Sequence, residues 1–198
     1  MAGDVTSILN WSAFLMALVT SVILILHRNW RWAIGLLALQ YLAVFLLIQT
    51  HFPISMSTAK LVSGWMACVV LGIAQLTTIS KEDIVDSWPQ GWIFRIFTAG
   101  IIIAATFALA LRTSAWLGIS MSTSWGSLLL IGMGLLHLGI SSQPFRVILG
   151  LLTILAGFEI LYAAVESSTL VAALLSAVNL GLALTGAYFV VLPREERQ

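Results

Sequence analysis

Long apolar runs divided by short polar or proline-bearing breaks make up most of the chain. A helix needs about 20 apolar residues to cross the hydrocarbon core of a bilayer. Seven runs are candidates for such spans: residues 6–26, 32–49, 57–79, 92–111, 124–140, 147–165 and 169–192. The breaks read HRNWR, THFPISM, SKEDIVDSWPQG, RTSAWLGISMS, SSQPFR and ESS. The runs are continuous rather than alternating, which predicts helices and argues against a transmembrane β-barrel. The least apolar run is 57–79, with Lys60 near one end and several hydroxyls. The ESS break is so short that the sixth and seventh helices should form a tight antiparallel hairpin. The expected fold is an all-α polytopic membrane bundle of about seven helices.

Composition agrees. The chain has 198 residues, 60% of them hydrophobic and 9% charged, with a mean hydropathy of +1.04. A soluble domain carries roughly 25% charged residues, so this one could not keep its surface wet. The single cysteine, Cys68, lies inside an apolar run, which excludes a disulfide framework and any thiolate metal cluster. A net charge of +1 leaves no nucleic-acid footprint. No basic segment precedes the first apolar run, which is long enough to span, so no cleavable signal peptide is expected.

Seven spans put alternate loops on opposite sides. One side collects Arg28, Arg31, Lys81, Arg95, Arg146, Arg194 and Arg197, and the other receives Lys60 and Arg112. The positive-inside rule then places the C-terminus in the cytoplasm and the N-terminus outside; the expected location is a plasma (inner) membrane. Deleting any one span would scramble that bias. Trp30, Trp32, Trp88, Trp92, Trp116 and Trp125 fall near the expected interfaces, where an amphipathic ring anchors a helix.

RWAIGLL at Arg31 and RVILGLL at Arg146 share Arg, Gly, Leu and Leu in the same places, and VLGIAQLT around Leu71 resembles NLGLALTG around Leu180. Helices one to three and five to seven therefore read as degenerate copies of a three-helix unit, or as chance in a leucine-rich chain. The chain divides into residues 1–123, four helices, and 124–198, three helices with a basic tail.

Ionisable residues inside spans are the candidate chemistry. Glu159 follows Arg146 by 13 residues, which is about 20 Å along a helix axis and well inside a core of about 30 Å. An ionised carboxylate there costs a few kcal/mol or more, so such a group can exchange a proton near neutral pH. It reads as a proton relay, or as a protonated acid bonding a neighbouring helix or reaching the outer interface. Gly150 and Gly157 would let another helix approach this face. Lys60, one turn into helix three, reads as a second relay group or as a side chain snorkelling to the interface. His137, in the last turn of helix five, reads as a structural histidine or a proton relay. Gln40, Gln49, Gln75 and Asn179 should bond across helices, and Asn179 can hold water near Glu159. KEDIVD reads as a solvated loop, not a carboxylate metal site.

No His pair at metal or haem spacing, nucleophile elbow, phosphate loop or intramembrane acidic cluster is present. The absence of a transporter-like broken helix argues against a secondary transporter working alone. Isolated protonatable groups in lipid remain, which is the chemistry of a proton path.

LGLLTILAGFEILYAAV, a short turn, then TLVAALLSAVNLGLALTGAYFV and a basic tail resemble the small K subunit of respiratory complex I. That family carries a membrane glutamate in a GLE-type motif, and the matching position is Glu159 in GFEIL. A second glutamate precedes an IGLAL-like run. The matching position is Ala177, so a complete two-glutamate relay is not implied. The likeness covers about residues 124–192. The longer chain is similar to the E component of group 4 energy-converting membrane hydrogenases, whose third-helix lysine resembles Lys60 in STAKLV. The Mrp cation/proton antiporters contain a related small subunit. The resemblance implies a subunit without redox cofactors of its own, packed by a small-residue helical face on antiporter-like partners in the bilayer. It would contribute to proton or cation translocation coupled to redox chemistry in other subunits. A non-catalytic scaffold or assembly subunit is the main alternative.

Overall fold

The computed structural model describes residues 2–27, 29–50, 52–77, 91–166 and 168–192, with the side chains of residues 2–5 excepted. Seven helices follow one another: α1 (Ala2–Leu26), α2 (Trp30–Ile48), α3 (Ile54–Thr77), α4 (Trp92–Leu117), α5 (Met121–Ile140), α6 (Pro144–Val165) and α7 (Thr169–Val191). Each is long and apolar enough to cross a membrane. In lipid every backbone polar group needs an internal partner, which uninterrupted helices supply.

Local chemistry sets where each helix starts and stops. The Asn29 side chain accepts a hydrogen bond from the Arg31 backbone N–H, capping α2. Pro144 occupies the first turn of α6, where its missing N–H costs nothing. The expected long break over residues 112–122 shrinks to three residues. α4 runs on to Leu117 because Arg112, Thr113 and Ser114 are compatible with a helix whose end lies at an interface. It stops at Gly118, whose φ of 66° is the left-handed conformation that glycine adopts without a Cβ penalty. The Ser120 hydroxyl then accepts from the Thr123 backbone N–H to open α5.

The helices form two rows of three. In one row α2 lies between α1 and α3, and in the other α6 lies between α5 and α7. The rows stack with α1 on α5, α2 on α6 and α3 on α7, while α4 closes one end against α5 and α1. Two four-helix cells result, α1–α2–α5–α6 and α2–α3–α6–α7, sharing the α2–α6 wall. As expected, α6 and α7 form a tight antiparallel hairpin. One end of the bundle, the arginine end, holds the C-terminus of α1 and the N-termini of α2, α4 and α6. The other is the far end.

Glycines draw α5 and α6 together. A Cβ on Gly157 would lie 2.6 Å from the Ser127 carbonyl oxygen, and one on Gly134 would lie 2.7 Å from that of Gly150. The close approach expected at Gly150 and Gly157 is therefore made by the chain's own α5, with small residues on both helices. Outward faces carry large apolar side chains, among them Ile54, Trp92, Leu170 and Leu184, as a lipid-facing surface requires.

Candidate functional site

The second cell holds the charged centre. Lys60, six residues into α3, and Glu159, six residues before the end of α6, are each about 9 Å from the far end. Chain direction thus brings two groups 99 residues apart to one level. The Lys60 Nζ donates to Glu159 Oε1 at 2.7 Å, and the two side chains are 4% and 3% exposed. Lys60 does not snorkel. Its ammonium turns inward because a carboxylate waits there, and burying either charge alone would cost more than burying the pair.

A second polar pair lies beside the first. The Tyr41 hydroxyl on α2 donates to Asn179 Oδ1 on α7 at 2.6 Å, inside the bundle. Gly64 of α3 makes room for the tyrosine ring, since a Cβ there would overlap it. Gly64 is one turn along α3 from Lys60, which puts the tyrosine ring beside the charged pair. All four helices of the cell therefore contribute one polar side chain each: Tyr41, Lys60, Glu159 and Asn179. Asn179 bonds across helices, as expected, and its Nδ2 has no partner among the described residues.

His137 belongs elsewhere. It lies in the last turn of α5, three residues from Ile140, and so about 5 Å from the arginine end. Its ring is 4% exposed and its Nε2 lacks a partner among the described residues. Arg95 Nη1 donates to the Ile25 carbonyl and Arg146 Nη2 to the His27 carbonyl. Two guanidinium groups thus satisfy orphan carbonyls at the C-terminus of α1, where positive charge is favoured. The structure brings Lys60 and Glu159 together and leaves His137 at the opposite end.

Reading the sequence missed Tyr41 and the capping role of Arg95. A phenol between Gln40 and Leu42 in the middle of a span was a usable signal, because a buried tyrosine hydroxyl finds a partner. Arg95 gave less away, as any arginine near a helix start can turn to solvent. Gln49 caps α2 through its backbone N–H to the Phe45 carbonyl rather than bonding across helices. KEDIVD, Arg28, Lys81, Trp88, Arg194 and Arg197 lie outside the described residues. Among the described residues no three His, Cys, Asp or Glu side chains gather so as to hold a metal ion. Comparison of the chain with known protein families, curated proteins and solved structures finds no match.

Proposed function

We propose that this chain is a membrane subunit of an assembly of the complex I or energy-converting hydrogenase kind, in which Lys60 and Glu159 pass a proton or cation. The observation that carries this reading is the Lys60–Glu159 pair, 2.7 Å apart and buried in the bundle. A lysine and a carboxylic acid in contact can share one proton in two ways, as ammonium and carboxylate or as amine and acid. In a low-dielectric interior the two distributions lie closer in free energy than in water, because solvation no longer favours the charges. A change of charge in a neighbouring subunit could then tip the pair. Glu159 would take up a proton from one side, and Lys60 would release one to the other.

Redox chemistry belongs to partner subunits, and antiporter-like membrane proteins are the partners this reading requires. Ala177, where the related glutamate would stand, is exposed on the outer face of α7. The relay therefore runs with Lys60 as the second ionisable group instead of a second acid. Orientation follows from charge. With Lys60 buried in the pair and Arg95 buried against α1, the asymmetry becomes six against one (seven less Arg95, two less Lys60). The arginine end is then cytoplasmic, in a plasma (inner) membrane.

One observation favours a scaffold reading. The pair is in direct contact, and so could serve to tie α3 to α6 alone. Glu159→Gln separates the two readings. In the intact assembly the substitution should abolish proton or cation pumping while the subunits still co-purify. Unchanged pumping would leave the scaffold reading.

A further inference from the structure

The first cell, α1–α2–α5–α6, contains a polar group that the Lys60–Glu159 pair does not use. Gln40 is 1% exposed, and neither its Oε1 nor its Nε2 has a partner among the described residues. Its direction is fixed by its neighbours. Leu47, seven residues on and on the same stripe of α2, reaches Gly126 of α5 beside Phe14 of α1. Tyr41, one residue along and about 100° around the helix, faces Gly64 and Asn179 in the other cell. The shared wall thus presents an amide to one cell and a phenol to the other.

Other buried polar groups lead toward Gln40 from the arginine end. Counted from the nearest helix terminus at that end, His137, Thr20, Thr153 and Gln40 sit at depths of about 5, 9, 14 and 15 Å. Thr153 shares the stripe of Gly150 and Gly157 that faces α5. The Thr20 and Thr153 hydroxyls donate to carbonyls of their own helices, at 2.7 and 2.8 Å, which leaves oxygen lone pairs to accept from another donor. An amide has two donor hydrogens and two acceptor lone pairs, and native interiors keep such a group where something completes it. Gln40 is neutral and lies among buried apolar side chains such as Leu47 and Leu130, with the hydroxyls and the imidazole on the surrounding helices, so its unmet donors and acceptors are what a water molecule would fill.

We infer that the cell enclosed by α1, α2, α5 and α6 holds ordered water on the Gln40 amide and forms a half-path from the His137 end to the wall behind which Lys60 and Glu159 meet. As a hydration site this stands on the geometry of Gln40. As a route for protons it rests on the function proposed above.

Hydroxyl-radical footprinting of the full chain in lipid nanodiscs tests it, because radicals formed from internal water oxidise side chains that bulk solvent does not reach. The reporters are His137 and Met133, which are 4% and 1% exposed, with Trp116, 84% exposed, as reference. Both reporters should be oxidised at a rate within an order of magnitude of Trp116. Gln40→Leu should lower their labelling roughly fivefold or more while Trp116 is unchanged. Should that variant not fold, Gln40→Met keeps the length and flexibility of the side chain and serves in its place. Silent reporters in the wild type, or equal labelling in the variant, would overturn the inference. Labelling as expected in an assembly that moves no protons would keep the hydrated cell and remove only the transport reading.

Discussion

At the scale of single residues, the Lys60–Glu159 pair makes a thermodynamic prediction that does not depend on function. Taking one partner from a buried ion pair leaves the other charge unpaired, at a cost of about 3–5 kcal/mol, whereas replacing both by apolar groups is often neutral or better. Lys60→Met and Glu159→Leu should each destabilise the bundle by an amount in that range. The double variant should return to within about 1 kcal/mol of the wild type. Reversible unfolding in mixed micelles measures all three. Losses that simply add in the double variant would mean the two side chains are uncoupled. Both residues stood out in the sequence, since any charge within an apolar run invites a question. Their partnership did not, because 99 residues separate them and α3 meets α6 only through the stacking of whole rows. Tyr41 was hidden for a related reason: its partner, Asn179, lies 138 residues away.

At the scale of helices, the runs of apolar residues announced all seven elements, and the errors fell at their ends. Residues 112–122 looked like a loop because five polar residues and a tryptophan gather there, but a helix end at an interface tolerates Arg112, Thr113, Ser114 and Trp116. Gly118 was the true stop, and only its left-handed backbone reveals that. Helix packing was less legible. A small residue in a membrane helix permits close approach without saying which helix approaches. Gly157 and Gly181 illustrate the difference. An added Cβ at Gly157 meets backbone atoms of α5, the Ser127 oxygen at 2.6 Å and the Ile131 nitrogen at 2.9 Å, while nothing lies within 4 Å of one at Gly181. Gly157→Ala must push two helices apart and should cost about 1–3 kcal/mol. Gly181→Ala should be neutral or stabilise by up to about 1 kcal/mol through helix propensity. Thermal unfolding of the two variants in one detergent checks the contrast, and a tolerated Gly157→Ala would contradict the α5–α6 contact described here.

At the scale of the whole molecule, each row joins helices that follow one another in the chain, but the stacking of the rows and their shared wall arise from contacts between helices four elements apart, which no local pattern encodes. Direction is different, because the proposed orientation rests on charge. Arg31, Arg95 and Arg146 gather at one end of the bundle, and the last two also cap α1 there. Those arginines would have to cross the bilayer for the molecule to insert the other way, which makes the assignment testable with single cysteines. Cys68 is 4% exposed and should stay silent to a membrane-impermeant maleimide, so the natural sequence serves as background. The turn between α4 and α5 lies at the far end and the one between α5 and α6 at the arginine end. In intact cells Ile119→Cys should be labelled directly, and Ser142→Cys only after the membrane is permeabilised. Since α5 alone separates the two positions, they must lie on opposite sides, and the pair controls its own interpretation. The reverse pattern would put the arginine end outside. His137 and Gln40 would then open to the outer face, and the Lys60–Glu159 pair, about 9 Å from the far end, would be reached first by protons from the cytoplasm.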